Sequence, residues 1–207
     1  MPDVRTLLVV GATGIVGRAA IDHFAGSPGW EVVALSRRGT GRPGVIDLRA
    51  DLTDAEGLDA ARAGGPAVTH VLYAALYEQR DLVAGWRDDG QMRVNDAMFA
   101  NLLDALGRHA PGLRHLTLMQ GAKAYGLHDV QVPVPAKERW PRGPHKVFYW
   151  LQEDRLRERA AAGGWRFSIL RPQLILGAAV GSPMHVSGAI RAYAAIQREL
   201  GEPLRFP

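Results

Sequence analysis

The 207-residue sequence contains no cysteine. That absence excludes disulfide scaffolds, thiolate nucleophiles, cysteine-based zinc sites and iron–sulfur clusters. It fits a reducing compartment, so we expect a cytoplasmic protein. No apolar run reaches the roughly 18 residues that a membrane span needs, and the N-terminal residues lead straight into a strand pattern rather than a signal peptide. We therefore expect no membrane partner.

The sequence also lacks the motifs of several other classes of protein. Seven histidines show neither an i, i+4 pair nor an H-E-x-x-H motif, so we expect no metal site. No G-x-S-x-G motif is present for a hydrolase nucleophile. The net charge of +4 comes from basic residues scattered among acidic ones, which predicts no nucleic-acid partner. With 47% apolar and 22% charged residues, the composition is that of a globular chain.

Short apolar runs alternate with helical patterns along the chain. This alternation predicts an α/β fold of Rossmann type, a doubly wound and mostly parallel sheet flanked by helices. Strands are predicted over 7–10, 31–35, 45–48, 68–74, 113–119 and 167–170, and helices over 15–25, 54–63, 91–109, 145–162 and about 184–200.

Three glycines, Gly11, Gly14 and Gly17, stand between the first predicted strand and the first predicted helix. In that context one glycine allows the sharp turn, one lets the backbone approach a pyrophosphate, and one lets the helix pack on the strand. The helix N-terminus offers free N–H groups and the positive end of its dipole to phosphates. The turn therefore predicts a nucleotide site that also includes Thr13, Ile15 and Val16, although the motif alone is equally compatible with a plain tight turn.

The end of the second predicted strand indicates which nicotinamide cofactor is bound. Proteins that bind NAD usually carry an acidic residue there, whereas this chain has Ser36, Arg37 and Arg38. Guanidinium groups can bind a 2′-phosphate through paired charge-assisted hydrogen bonds. We therefore predict NADP(H), the alternative being two solvated arginines.

Three further strand ends complete the predicted cofactor site. Asp51 and Leu52 would flank the adenine, with Asp51 facing its amino group, although Asp51 or Thr53 could also be a helix N-cap. Tyr73, Ala74 and Ala75 would line the pyrophosphate and the nicotinamide ribose, and Pro172 and Ile175 would contribute backbone contacts near the nicotinamide.

With these pieces in place, the chain resembles the extended, epimerase-like branch of the short-chain dehydrogenase/reductase superfamily. The closer resemblance is to the group of enone reductases that contains progesterone 5β-reductase and iridoid synthase. It covers nearly the whole chain in order. The matching motifs are residues 11–17 (GATGIVG), 36–38 (SRR), 68–73 (VTHVLY), 113–115 (LRH), 121–126 (GAKAYG), 148–154 (FYWLQED), 171–172 (RP), 193–196 (YAAI) and 203–207 (PLRFP).

The resemblance also implies the catalytic residues. Most members of the superfamily use a tyrosine and a lysine four residues apart on one helix, and this chain lacks that spacing because His145 stands four residues before Tyr149. Gly121 fills the position of the usual serine or threonine. The resemblance implies that Tyr149 and Lys123 form the catalytic pair instead. Without it, Tyr149 would be interpreted as a core aromatic residue and Lys123 as a surface lysine.

Two other groups near this pair have structural interpretations. Adjacent helix carboxylates point apart, so we expect Glu153 and Asp154 to form surface ion pairs with neighbouring arginines rather than an acid–base pair. His145 could be a second proton donor, but a histidine in a loop or first helical turn is more often solvated.

The sequence thus predicts an NADPH-dependent reductase that acts on a conjugated enone or carbonyl of a small apolar molecule. A sugar-nucleotide epimerase or dehydratase of the same fold and a non-catalytic NADP(H)-sensing protein are the alternatives. By resemblance, residues 1–177 would form the Rossmann domain and 178–207 the start of a substrate-binding region that the family has and this chain mostly lacks. The helices over 91–109 and 145–162 would serve a homodimer, as in extended members.

Overall fold

The computed structural model describes residues 4–81, 84–127, 129–177 and 186–205. Within them, six strands form one fully parallel sheet in the order β3-β2-β1-β4-β5-β6. The order reverses between β1 and β4, as in a doubly wound sheet, so the predicted fold class is confirmed. The strands are β1 (Arg5–Val10), β2 (Trp30–Ser36), β3 (Ile46–Arg49), β4 (His70–Tyr73), β5 (His115–Met119) and β6 (Arg166–Leu170).

The central strand β1 is buried on both faces because every residue from 7 to 10 is apolar. Leu8 and Val10 face one core, whereas Leu7 and Val9 face another on the opposite side of the sheet. A strand that is apolar on both faces is stable only between two helical layers. The first strand therefore fixes the middle of the fold.

Five helices accompany the sheet in the described residues. They are α1 (Ile15–Phe24), α2 (Ala55–Ala63), α3 (Asp89–His109), α4 (Phe148–Gly163) and α5 (Val186–Leu200), with short 3₁₀ turns at Ala84–Arg87 and Ala122–Tyr125. None of them is long and apolar enough to cross a membrane.

The N-cap of α2 and the start of α4 differ from the sequence analysis. The N-cap of α2 is Asp54, which accepts a hydrogen bond from the Gly57 N–H at 3.0 Å, so the alternative that Asp51 or Thr53 caps a helix is wrong. The fourth helix begins at Phe148 rather than at 145, because Val147 still has an extended backbone with φ of −155°.

One face of the sheet is covered over only part of its width. The core on this face consists mainly of residues of β1, β2 and α1, and Leu72 of β4 packs at its edge, whereas Met119 and Leu170 lie beyond it. Together with α1 they line an apolar cleft of about 910 Å³. Leu170 is 49% exposed. Helix α5 has no buried residue, so in the described part of the chain this half of the face is open.

Candidate active site

The turn after β1 needs glycine at two positions for different physical reasons. Gly11 has φ of +83°, and a Cβ there would lie 2.7 Å from the carbonyl oxygen of Ala74. A Cβ on Gly17 would lie 2.3 Å from the carbonyl oxygen of Gly11. The turn and the first turn of α1 are therefore packed backbone against backbone, as the sequence analysis expects of a phosphate-binding turn.

The ligand side of the same turn is open. Gly14 is the N-cap of α1, and no side chain caps the helix. A Cβ on Gly14 would meet only the Gly11 carbonyl oxygen, at 3.3 Å. Thr13 is exposed, and Ile15 and Val16 are half-buried. The uncapped N–H groups of α1 can therefore receive an anion.

The end of β2 presents two unpaired cations. The Ser36 hydroxyl accepts a hydrogen bond from the Gly39 N–H at 3.0 Å, which turns the chain away from the sheet. Arg37 and Arg38 are exposed, and neither forms an ion pair with a residue that the structure describes. Both guanidinium groups are thus exposed and outside any ion pair of the described residues, although the charge of Arg37 also acts on Asp51.

Asp51 lies near this end of the sheet. Its carboxylate accepts hydrogen bonds from the N–H and the hydroxyl of Thr53, at 2.9 and 2.7 Å. These two bonds and the positive charge of Arg37 hold the pKa of Asp51 below its usual range, although partial burial opposes them. Asp51 is therefore an ionised acceptor at the position predicted for the adenine.

Two of the predicted cofactor residues face the core. Tyr73 is 1% exposed and packs edge-to-face on Phe99 with ring centroids 4.8 Å apart. The side chain of Leu52 is buried in the same cluster. Their side chains therefore cannot line the cofactor cleft, and only their backbones remain available. Tyr73 is the last residue of β4, where side chains alternate between the two faces of the sheet, and the prediction did not allow for that alternation.

Ala74 and Ala75 lie where the backbone of β4 passes the glycine turn. The Ala74 N–H donates to the Val10 carbonyl oxygen at 2.9 Å, and the backbone of both alanines would lie within 3 Å of a Cβ on Gly11. Pro172 and Ile175, which follow β6, line the apolar cleft together with Ile15 and Val16.

The predicted catalytic tyrosine lies in the first turn of α4. A Cβ on Gly121 would come within 3.4 Å of the Tyr149 hydroxyl oxygen, so the glycine at this position leaves room for the phenol. The Gln120 side-chain amide donates to the Tyr149 carbonyl oxygen at 3.0 Å. Burial raises the pKa of Tyr149 above its usual value, and the negative charge of Glu78 raises it further. The phenol therefore stays protonated and can act as a hydrogen-bond donor.

Lys123 lies in the 3₁₀ turn that follows β5. Its ammonium nitrogen lies 3.3 Å from the centroid of the Trp86 ring, and the ring of Tyr149 packs on the same indole at 5.6 Å. Burial lowers the pKa of Lys123 to about 8, against the opposing effect of Glu78. The structure thus brings the two predicted catalytic residues together on one aromatic side chain.

Glu153 is buried, contrary to the expected surface position. It is 5% exposed and bonds to Arg157 and to Arg171, the latter at 2.7 Å. Burial alone would raise its pKa, but the hydrogen bond from Arg157 and the surrounding guanidinium charges lower it. Asp154 is exposed and pairs with Arg142 at 2.7 Å, as expected. Both acids are therefore structural, and Glu153 anchors the residue before Pro172.

His145 is not solvated as expected. Both ring nitrogens are buried and lack hydrogen-bond partners, and the ring packs on Trp150 at 5.7 Å. Gly126 and Gly143 make this position possible, because a Cβ on either would lie 2.8 Å from His145 Nδ1.

In the described residues no group of three histidines or acids could hold a metal ion. His128 and His185 lie outside those residues.

The sequence also matches a known family of proteins. The sequence pattern of the NAD dependent epimerase/dehydratase family matches residues 7–205. The chain belongs to that family.

Two relatives show where this member lies in the epimerase/dehydratase family. A 3-oxo-Delta(4,5)-steroid 5-beta-reductase of Arabidopsis thaliana is 34% identical over 97% of this chain and 54% of its own length. An (S)-8-oxocitronellyl enol synthase of Camptotheca acuminata is 32% identical over 96% of this chain and 52% of its own length. The predicted resemblance to this group is therefore confirmed. The chain spans about half the length of these relatives.

A solved structure of the same superfamily shows the same fold. The UDP-glucose 4-epimerase of Thermus thermophilus, in complex with NAD, superposes with a TM-score of 0.72. It is 24% identical over 96% of this chain and 64% of the epimerase.

Two residues of this family member's site were missed by sequence reasoning. Trp86 is 4% exposed and lies between Lys123 and the aromatic residues of α4. Glu78 accepts a hydrogen bond from the Trp86 indole N–H at 3.1 Å. Glu78 lies in the irregular segment after β4 and Trp86 lies in the short 3₁₀ turn Ala84–Arg87, where neither periodicity nor motif gives a signal. A lone tryptophan between two charged stretches was the only available hint.

Proposed function

We propose that the chain is an NADPH-dependent oxidoreductase that reduces a conjugated enone or carbonyl of a small apolar molecule. The observation that carries the proposal is the shared packing of Lys123 and Tyr149 on Trp86, with the Tyr149 hydroxyl beside Gly121. The reductase and enol synthase among the relatives support the reaction class.

The residues of the glycine turn fit a dinucleotide. A Cβ would clash with backbone at Gly11 and Gly17 but not on the open side of Gly14, where a pyrophosphate approaches in such folds. The exposed Arg37 and Arg38 favour a 2′-phosphate and hence NADP(H). When bound, the nicotinamide supplies the hydride of the reduction.

Tyr149 has the properties of the group that polarises the substrate oxygen. Its buried phenol stays protonated at neutral pH because burial and Glu78 raise its pKa. A protonated phenol in a site of low dielectric constant donates a hydrogen bond to a carbonyl oxygen and stabilises the negative charge that develops there. Lys123, whose pKa is about 8, carries a positive charge on most molecules at pH 7 and contributes to the same stabilisation.

The test is reduction of a panel of small enones and aldehydes, followed by the loss of nicotinamide absorbance. Tyr149→Phe should retain NADPH binding and lose roughly 10²–10³-fold in kcat, as for the removal of an oxyanion donor. Tyr193→Phe is the matched control, since the Tyr193 hydroxyl lies on α5 and donates to the Arg205 carbonyl oxygen. Full activity of Tyr149→Phe would refute the assigned role. Tight NADPH binding without turnover by the wild type would favour a cofactor-sensing protein.

The pairing of two copies through α3 and α4 stays a prediction. Cross-linking between exposed positions on these helices would test it.

A further inference from the structure

The loop that follows β4 carries an aromatic and acidic pair next to the candidate catalytic residues. Trp86 stacks on Phe148 at 5.0 Å and contacts the Tyr149 ring edge-to-face. Its other partner is the Lys123 ammonium group, 3.3 Å from the ring centroid. In the described residues Lys123 forms no ion pair within 4 Å, and its ammonium group is acted on by the indole face and by the charge of Glu78.

Buried amides of α3 hold this loop in place. The Asn95 side chain accepts from the Tyr77 N–H at 2.9 Å and donates to the Tyr77 carbonyl oxygen at 2.8 Å. The Gln91 side chain accepts from the Gln79 N–H at 2.8 Å. Asn95 and Gln91 are at most 1% exposed. Glu78 therefore lies between Tyr77 and Gln79, whose backbones are both hydrogen-bonded to side chains of α3.

In the described residues the Glu78 carboxylate is the charged group that acts on Lys123. The same carboxylate raises the pKa of the neutral Tyr149 phenol on α4. The Arg171 guanidinium lies over the ring of Tyr125, which belongs to the same 3₁₀ turn as Lys123, and is paired with Glu153. Glu78 is thus the acidic group that acts on Lys123 and on Tyr149 alike.

We propose that Trp86 and Glu78 are positioning residues of this site. The Trp86 ring holds the Lys123 ammonium group beside Tyr149, and the Glu78 carboxylate orients the indole and compensates the lysine charge. A cation over an indole face is attracted by the negative face of the ring, most strongly where water is excluded. The consequence for catalysis rests on the proposed function, whereas the placement of Lys123 does not.

The placement can be measured without a substrate, because the chain contains only three lysines, Lys123, Lys137 and Lys146. Lysine labelled with ¹³C at the ε position gives one signal for each, and Lys123→Arg identifies the signal of interest. We expect the Lys123 signal of the wild type to be shifted upfield by the ring current of Trp86. It should titrate with a midpoint near pH 8, and the exposed Lys146 provides the reference.

Two substitutions test the two positioning residues. Trp86→Leu should abolish the upfield shift, whereas Trp86→Phe should retain part of it because an aromatic face remains. Glu78→Gln should lower the titration midpoint of Lys123 by roughly one pH unit, the lower end of the range for a neighbouring opposite charge. Trp30→Leu and Glu158→Gln are the matched controls and should leave the signal unchanged, since Trp30 packs on Phe24 and His70. Should Trp86→Leu fail to fold, Trp86→Phe and Glu78→Gln still decide the outcome.

The inference is overturned if the Lys123 signal keeps its position in Trp86→Leu, or if Glu78→Gln leaves its titration unchanged. A second readout links the placement to reduction. The alkaline limb of the kcat/KM profile should move to lower pH in Glu78→Gln, with a larger effect on kcat than on KM. If the Lys123 signal responds to Trp86→Leu and Glu78→Gln as expected but the wild type reduces no enone, only the proposed function is refuted. If the wild type reduces enones but neither substitution changes the Lys123 signal, only the positioning role is refuted.

Discussion

Replacing Gly17 by alanine should destabilise the protein although it improves the helix. Alanine in a helix interior is about 1 kcal/mol more favourable than glycine. The new Cβ would lie 2.3 Å from the Gly11 carbonyl oxygen, whereas ordinary contacts begin at 3.4 Å. Since the obstructing atoms belong to the backbone, α1 must move by about 1 Å, and overpacking of this kind costs about 1–3 kcal/mol.

The net effect of Gly17→Ala is therefore a loss of up to about 2 kcal/mol. For a chain of this size that loss corresponds to a fall in Tm of up to about 8 °C. NADPH affinity should fall as well, because the displaced helix carries the N–H groups proposed to bind the pyrophosphate. Thermal unfolding and a fluorescence titration with NADPH measure the two effects.

The chain offers a control with the opposite sign. Gly107 lies inside α3, is exposed, and a Cβ there would meet no other atom within 4 Å. Gly107→Ala should therefore stabilise the protein by about 0.5–1 kcal/mol and leave NADPH binding unchanged. If both variants were stabilised equally, the close approach of α1 to the glycine turn would be refuted.

Three further substitutions test other parts of the structure. Ser36→Asp should shift the cofactor preference from NADPH towards NADH in binding titrations, because a carboxylate repels the 2′-phosphate; an unchanged ratio would contradict the role of Arg37 and Arg38. Glu153→Gln should cost about 3 kcal/mol in denaturant unfolding, since it leaves the Arg171 charge poorly paired. Because the folded-state pKa of Glu153 is lowered, this difference should shrink as the pH falls below 4.5, and a constant difference would argue against it. The wild type should gain stability between about pH 8 and 10.5, where the unfolded state still protonates Lys123 and the folded state does not; Lys123→Met should lack that gain.

The sequence was sufficient to predict the sheet because its strands are short segments in which apolar residues predominate or alternate with polar ones, and these segments lie between helical patterns. Residues 7–10 could belong only to a strand covered on both faces. The glycine turn was equally predictable from the sequence. Gly11 and Gly17 occupy positions where a side chain would collide with the backbone of a neighbouring segment.

The parts that sequence reasoning missed depend on contacts between distant segments. Glu153 looked like a surface acid because its neighbours on α4 are arginines, yet Arg171 reaches it from the end of β6. Trp86 and Glu78 lie in the segment between β4 and α3 that is fixed by Asn95 and Gln91 of α3. Periodicity describes one segment at a time and carries no information about such contacts.

The order of strands in the sheet also affects how the chain can fold during synthesis. Strand β1 is made first, but it pairs with β2 and with β4, whose last residue is Tyr73. At roughly 5–20 residues per second, its second partner emerges several seconds later. Until then the most apolar strand of the protein has one open edge. We therefore expect nascent chains whose synthesis has not yet passed β4 to depend on chaperones.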